Sequence, residues 1–413
     1  MRQTSKPLTN CQICNSQSLT SSIFLGYLPP VNTMPLIGIP AVEEPSYPLE
    51  ILRCDDCGLV QIGLEVSQEV LFPESYPYLS NSTRILRENF ANQYQEVLDV
   101  VGINKNDLVI DIGSNDGTLL NNYLLGGHSV LGIEPSQAAD VAISQGIQTL
   151  KTYFSLQTAR DVSEKYGQAK VVTACNVFAH ITNAHDVVDG ILEMLDDDGV
   201  FVSESHYLVD LVETLQYDTI YHEHLRYYHL GALIKLLNDH ELEVFHVRRI
   251  PTHGGSIRVF AGRKGQREIH ESVNECLTYE DELGISSGKG LVDFRERVIA
   301  SKLSLYALLE SIKKEGARIY GIGAPSRAST LINYVGLDEG IIDAVMEVSS
   351  SHKLNKYIPG TRIPVLDEKM LYEDQPEYAL FLSWHIAEEL KPILQKNGFK
   401  GKFIVPLPEP RVI

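Results

Sequence analysis

The chain has 413 residues, 44% hydrophobic and 22% charged, with a net charge of -19 and six cysteines. That length exceeds one ordinary core, so two or three domains are expected, with the composition of a globular enzyme rather than a disordered chain. The acidity repels polyanions and disfavours nucleic acid, while a local group of donors can still hold a small phosphorylated substrate. No run reaches the roughly 18 apolar residues of a membrane span. The N-terminal stretch also lacks the basic-then-apolar pattern of a signal peptide, so no membrane partner and a cytoplasmic location are expected.

Residues 1–75 are broken by prolines and contain two C-x-x-C pairs, Cys11/Cys14 and Cys54/Cys57. Each pair spans a tight turn that presents two thiolates, and four thiolates complete a tetrahedral zinc site with no open position for water. The predicted role is structural. The 39 residues between the pairs are tolerable because closure cost grows only logarithmically with loop length. The remaining cysteines, Cys175 and Cys276, are expected to be small packed hydrophobes.

A helix is predicted over Ser80–Leu98 from apolar residues near i, i+4 spacing. Strands and helices then alternate. Strands are predicted at Leu108–Ile112, Ser129–Ile133, Lys170–Val177 and Val200–Glu204, with helices at Thr118–Leu125, Ser136–Gln145 and His185–Leu195. A second series follows. It has a helix from Phe294 to Glu315, a strand Ala317–Ile322, a helix Arg327–Tyr334, and strands at Ile341–Met346, Ala379–Ser383 and Lys402–Pro406. Such alternation implies mostly parallel sheets with right-handed crossovers. The fold class is thus α/β: a small zinc-binding N-terminal domain followed by two Rossmann-like domains.

The first glycine-rich turn, Asp111-Ile-Gly113-Ser-Asn115-Asp-Gly117, follows a buried strand and opens a helix. Gly113 allows a sharp turn, and Gly117 is expected to let a ligand approach closely. The turn lacks the second and third glycines of a nicotinamide G-x-G-x-x-G. Glu134 ends the next strand, 21 residues after Gly113, where an acid can hold ribose hydroxyls. With the turn Asp197-Asp198-Gly199 before Val200–Glu204, these elements resemble the class I S-adenosylmethionine-dependent methyltransferases. Asp111, Gly113, Asn115, Gly117, Glu134 and Asn176 are the expected cofactor contacts.

Between residues 217 and 229 lies a segment crowded with titratable groups, including Tyr221-His222-Glu223-His224 and His229. A solvated polar loop is the plain alternative. His222 and His224, two apart, would face different sides of a helix, which argues against a second metal site. Taken with the C-x-x-C pairs, Asn176-Val-Phe-Ala-His180, His253-Gly-Gly-Ser256 and Gly321-Ile-Gly-Ala-Pro-Ser-Arg327, the chain resembles the nucleotide-sugar C-methyltransferases of deoxysugar biosynthesis. That resemblance spans essentially the whole chain. It implies a zinc-binding domain over 1–75, a methyltransferase domain over 76–250 and a sugar-nucleotide-binding domain over 251–413.

The resemblance also implies a substrate, a dTDP-linked 4-keto-deoxyhexose methylated at C-3, with C-5 as the alternative position. A carbon beside a ketone becomes nucleophilic only after losing a proton, so a base and donors for the enolate oxygen are needed. By resemblance His224 is the base and His180 the second candidate. Glu223 and Tyr221 orient the sugar or polarise its keto group, and Tyr76, or Tyr78 in its place, reaches in from the first domain. Ser326 and Arg327 in the second glycine-rich turn, with Lys356, are expected near the diphosphate, because exposed N–H groups at a helix start favour an anion. His253 and Ser256 are expected beside the substrate at a domain boundary. Methylation at oxygen or nitrogen, and a catalytically inactive zinc-dependent scaffold, are the competing readings. Oligomeric state stays open, a monomer being compatible with three domains that enclose a site unaided.

Overall fold

The computed structural model describes residues 4–40, 43–71 and 84–413. The central sheet has seven strands. From edge to edge they are Leu242–Ile250, Ser256–Arg263, Leu195–His206, Ala169–Cys175, Leu108–Ile112, Ser129–Ile133 and Thr149–Leu150. Numbered by chain position the order is 6-7-5-4-1-2-3, and the seventh strand runs antiparallel to both neighbours. The inner strands are continuous apolar runs, as a sheet covered on both faces requires. Val109, Ile110, Val171, Val172, Phe201 and Val202 are fully or almost fully buried. This is the class I methyltransferase sheet.

The predicted strands at Leu108–Ile112 and Ser129–Ile133 and the helix Thr118–Leu125 are found with those limits. The predicted strand Val200–Glu204 is part of a longer one, Leu195–His206. The predicted helix from Ser80 is described from Arg84 to Val100. The antiparallel hairpin Leu242–Ile250/Ser256–Arg263 has no counterpart in the expected elements. A division at 250/251 falls inside its turn, and the pairing carries the central sheet on to Arg263.

The second seven-stranded sheet lies in the C-terminal part. Its order is Lys356–Tyr357, Pro364–Asp367, Ala344–Glu347, Ile319–Ile322, Tyr378–Phe381, Lys402–Val405 and Arg411–Val412, parallel except at both edges. The 26-residue helix Lys289–Lys314 leads into it. It buries Leu291, Phe294, Val298, Leu305, Leu309 and Ile312 along one face, as an amphipathic stripe does.

The N-terminal part forms a four-stranded sheet in the order Arg226–Tyr227, Val60–Ile62, Tyr47–Cys54, Leu19–Leu28. Its first strand comes from the histidine-rich segment, so the zinc-binding sheet is completed by the methyltransferase part of the chain. One apolar core runs through all three parts, from Cys11 and Leu49 through Phe178 and Leu236 to Leu331 and Ile404.

Candidate active site

The first glycine-rich turn lies at the carboxyl edge of the central sheet. Gly113, Asn115 and Gly117 all have positive φ, at 71°, 50° and 77°. At Gly113 a Cβ would stand 2.3 Å from Val177 Cγ2, so the turn and the loop after the fourth strand can close together only over glycine. The carboxylate of Glu134 accepts from the Asn115 N–H at 3.1 Å and from the Ser136 N–H at 2.8 Å. Asp111 is buried and accepts from the Thr173 hydroxyl at 2.6 Å, and burial pushes its carboxyl up to about 7. Asn176 also has positive φ, and its Oδ1 is buried without a partner. Gly117 corrects its expected role. A Cβ there would meet Ile147 and Ala142 of its own domain, and with φ at 77° the glycine serves packing and turn geometry rather than ligand approach.

At the same edge, loops and strand ends bring four imidazoles together. The ring centroid of His224 lies 4.9 Å from His180, 5.5 Å from His206 and 4.2 Å from Tyr221, while His206 stacks on His253 at 5.7 Å. His224 Nδ1–H donates to the Thr219 carbonyl at 2.8 Å, which leaves the lone pair on Nε2. Desolvation, with His180 beside it, pushes His224 down to about 3. Desolvation also holds His180 and His253 down to about 4 and His206 well below its ordinary value. These rings are therefore uncharged at neutral pH.

Glu223 is buried and shifts the other way: loss of water raises its carboxyl to about 8, against a lowering from the Asn32 amide and the Lys353 charge. Its main-chain carbonyl accepts from His180 Nδ1–H at 2.8 Å. His222 points away, packing against Tyr47 of the zinc-binding sheet, although the segment is a turn and not the helix on which the two histidines were expected to diverge.

The segment is held by the zinc-binding part. Ile62 N–H donates to the Leu225 carbonyl at 3.0 Å, and Arg226, fully buried, donates to Gln12, Tyr228 and the Phe178 carbonyl. Gln12 lies between Cys11 and Cys14. The sulfurs of Cys11, Cys14, Cys54 and Cys57 lie within 4.8 Å of one another, with two separations of 3.5 Å. Four zinc–sulfur bonds of about 2.3 Å set thiolates about 3.8 Å apart, so the cluster fits zinc. Among the described residues it is the only such group of potential ligands.

Residues 11–72 match the family model for a zinc binding domain, 84–247 that for a methyltransferase domain, and 251–408 that for a C-methyltransferase C-terminal domain. Over its whole length the chain is 31% identical to C-methyltransferase NovU of Streptomyces niveus, and covers 99% of that protein. The chain belongs to the C-methyltransferase family. Solved structures that resemble it include an S-adenosylmethionine-dependent methyltransferase from Clostridium acetobutylicum ATCC 824 (TM-score 0.35, 12% identity, 43% of this chain and 92% of that one). Another is magnesium protoporphyrin IX methyltransferase from Synechocystis PCC 6803 (TM-score 0.33, 14% identity, 43% and 79%).

This C-methyltransferase uses S-adenosylmethionine. The carboxylate of Glu134 at the mouth of the turn and the unpartnered Asn176 oxygen suit that cofactor. No helix among the described residues is long and apolar enough to cross a membrane.

The expected substrate contacts are scattered more widely. Tyr76 and Tyr78 lie outside the described residues. His253 joins the histidine cluster, but the Ser256 hydroxyl donates inward to the Thr252 carbonyl at 2.9 Å. Lys356 sits at the edge of the C-terminal sheet, bridged to Leu36 of the zinc-binding part. Ser326 donates to Asn32 Oδ1 at 3.3 Å. Arg327 was expected to meet an anion; here it is buried and forms a two-bond pair with Asp218, both at 2.8 Å. Its guanidinium lies 4.9 Å from the Trp384 ring centroid, and the indole N–H also donates to Asp218, at 2.7 Å. That carboxylate supplies the countercharge that a diphosphate was expected to give.

Sequence reasoning missed His206, Asn32, Asp218 and Lys353. His206 was within reach of it, since Ser203-Glu-Ser-His206 ends a sheet strand at the ligand-binding edge. Asn32 carries no local signal at all.

Proposed function

We propose that the enzyme methylates the carbon beside the ketone of a nucleotide-linked 4-keto-deoxysugar, at C-3, through an enolate. The observation that carries this reading is His224: an uncharged imidazole whose Nδ1–H is held by Thr219, with its ring among those of His180, His206 and Tyr221. Nε2 takes the proton as the carbon–hydrogen bond breaks, and the electron pair moves toward the keto oxygen. Glu223, uncharged up to about pH 8, donates a hydrogen bond to that oxygen as its charge develops, as a neutral carboxylic acid in an apolar site can. Tyr221 orients the ring.

Gly113, Asn115, Glu134 and Asn176 hold the cofactor, with Asp111 and Gly117 bracing their turn. Bound S-adenosylmethionine supplies the electrophilic methyl that the carbon takes up. His253 and Lys356 remain the substrate contacts we favour, together with Ser326. A dTDP nucleotide is the first choice on resemblance.

Two measurements test this. With the cofactor omitted, the wild-type enzyme should exchange the hydrogen beside the ketone for solvent deuterium, and no exchange would exclude enolisation. His224→Ala should lower turnover by about two to four orders of magnitude while keeping its S-adenosylmethionine affinity. Near wild-type turnover in that variant would move the base to His180. Product NMR over a panel of 4-keto sugar nucleotides separates a new carbon–carbon bond from methylation at oxygen or nitrogen.

A further inference from the structure

We infer that Asn32, a residue of the zinc-binding part, positions Glu223 and decides which of its two oxygens faces the substrate. This rests on the reading of Glu223 as partner of the keto group. Asn32 Nδ2 donates to Glu223 Oε1 at 2.5 Å, and its Oδ1 accepts from the Ser326 hydroxyl at 3.3 Å. One amide thus links three parts of the chain, using its donor on the methyltransferase part and its acceptor on the C-terminal part.

The loop that carries Asn32 is fixed on both sides. Upstream, Pro29-Pro30 leaves the strand Leu19–Leu28, and Thr33 N–H closes a turn on the Pro30 carbonyl at 3.2 Å. Pro29 packs so closely on Gly360 that a Cβ there would stand 2.9 Å from its ring. Downstream, the Pro35 carbonyl accepts from Tyr357 N–H at 2.8 Å and Ile37 N–H donates to the Asn355 carbonyl at 3.0 Å. Asn32 is therefore delivered by a segment anchored to two sheets, not by a loose loop.

The chemistry follows from the two ends of a neutral carboxyl. Its carbonyl oxygen accepts and its hydroxyl oxygen donates. An amide N–H on Oε1 makes that oxygen the acceptor, which leaves the acid proton on Oε2. Asn32 thereby sets both the rotamer of Glu223 and the oxygen that carries the donor. Leucine keeps the branched shape of asparagine, with more bulk, but has neither the N–H nor the acceptor oxygen, so it removes the polar link without opening a cavity.

The test uses the full-length, zinc-loaded enzyme and dTDP-4-keto-deoxyhexose, with deuterium exchange beside the ketone as readout. Asn32→Ala and Asn32→Leu should both slow exchange by about tenfold to a hundredfold, the scale of a misplaced catalytic group. S-adenosylmethionine affinity should stay at the wild-type value, while loss of the two hydrogen bonds lowers Tm modestly in both variants. In a double-mutant cycle, Asn32→Leu should add nothing to Glu223→Ala, which removes both the acceptor and the donor. Wild-type exchange in Asn32→Leu, or losses that multiply in the double variant, would overturn the inference. Wild-type exchange in Glu223→Ala would instead sink the reading of Glu223 itself.

Discussion

The two glycine-rich turns share one local design and do different work. Each joins a buried strand to a helix, and each is steadied by a glutamate at the end of the following strand. Glu134 accepts from Asn115 N–H at 3.1 Å, and Glu347 accepts from Ala324 N–H at 2.8 Å. The neighbours of the first turn are Val177, Ile147 and Ala142 of its own domain. The second is gripped from outside. Asp218 takes Arg327 and Asn32 takes Ser326, while Lys353 of the same domain donates from Nζ to the Ala324 carbonyl at 2.6 Å. A strand–turn–helix thus carries the proposed cofactor site in one place and clasps domains around the histidine-rich segment in the other. Its neighbours, not its glycines, make the difference.

The largest effect should come from the metal that orders the sheet beside this clasp. Structural zinc contributes on the order of 10 kcal/mol to small domains. Since Arg226–Tyr227 is a strand of that sheet, chelation should abolish turnover while calorimetry still detects cofactor binding at the first turn. Equal loss of both would mean that the two regions do not fold apart.

Next in size is Arg327→Ala. It strands Asp218 buried without its partner, which costs about 3–5 kcal/mol. Denaturant titration should show that loss, with S-adenosylmethionine affinity kept; an unchanged midpoint would demote the clasp to a passive contact.

Smaller again is the pair Gly113→Ala and Gly323→Ala, both at positive φ. Strain of about 1–3 kcal/mol corresponds to about tenfold to a hundredfold weaker cofactor binding in the first variant. The second should bind the cofactor normally. If both bind equally poorly, the two turns are not functionally distinct.

The mildest test is pH. His180, His222 and His253 titrate near 4, and His224 and His385 near 3, all below the ordinary 6.5 because of desolvation. The unfolded chain takes up these protons first, so stability should fall as pH drops from about 6.5 toward 4. Glu223, raised to about 8, acts oppositely. The folded state keeps its proton longer, and stability should fall as pH rises from about 4.5 to 8. Where the two ranges overlap, the five histidines outweigh the carboxyls, so a Tm profile should peak near pH 6.5. Glu223→Gln should weaken the alkaline limb, to which Asp111, raised to about 7, also contributes.

Much of the site was legible because its signals are short-range. C-x-x-C spacing brings two thiolates to one turn, and a glycine after an apolar strand marks a left-handed position. His180 and His224 were expected in one pocket from motif resemblance, and their rings do meet. The hairpin ending at Arg263 was not legible. Its strands follow a segment rich in polar groups, and only pairing with Leu195–His206 makes sense of their apolar residues. Arg327 was misjudged for a related reason. An arginine at a helix start reads as an anion contact until an aspartate 109 positions away supplies the anion.

What the amino-acid order determined unaided was therefore local: the zinc cluster, the strands and helices around Gly113, and the chemical types gathered in residues 217–229. Tertiary structure alone decided which partners those groups received. Glu223 meets Asn32 across 191 positions, and Arg226 meets Gln12 across 214. Such pairings leave no periodic or spacing signature, because hydrogen bonds between distant segments depend on how whole sheets dock. Only the docked sheets set the geometry on which the proposed proton transfer depends.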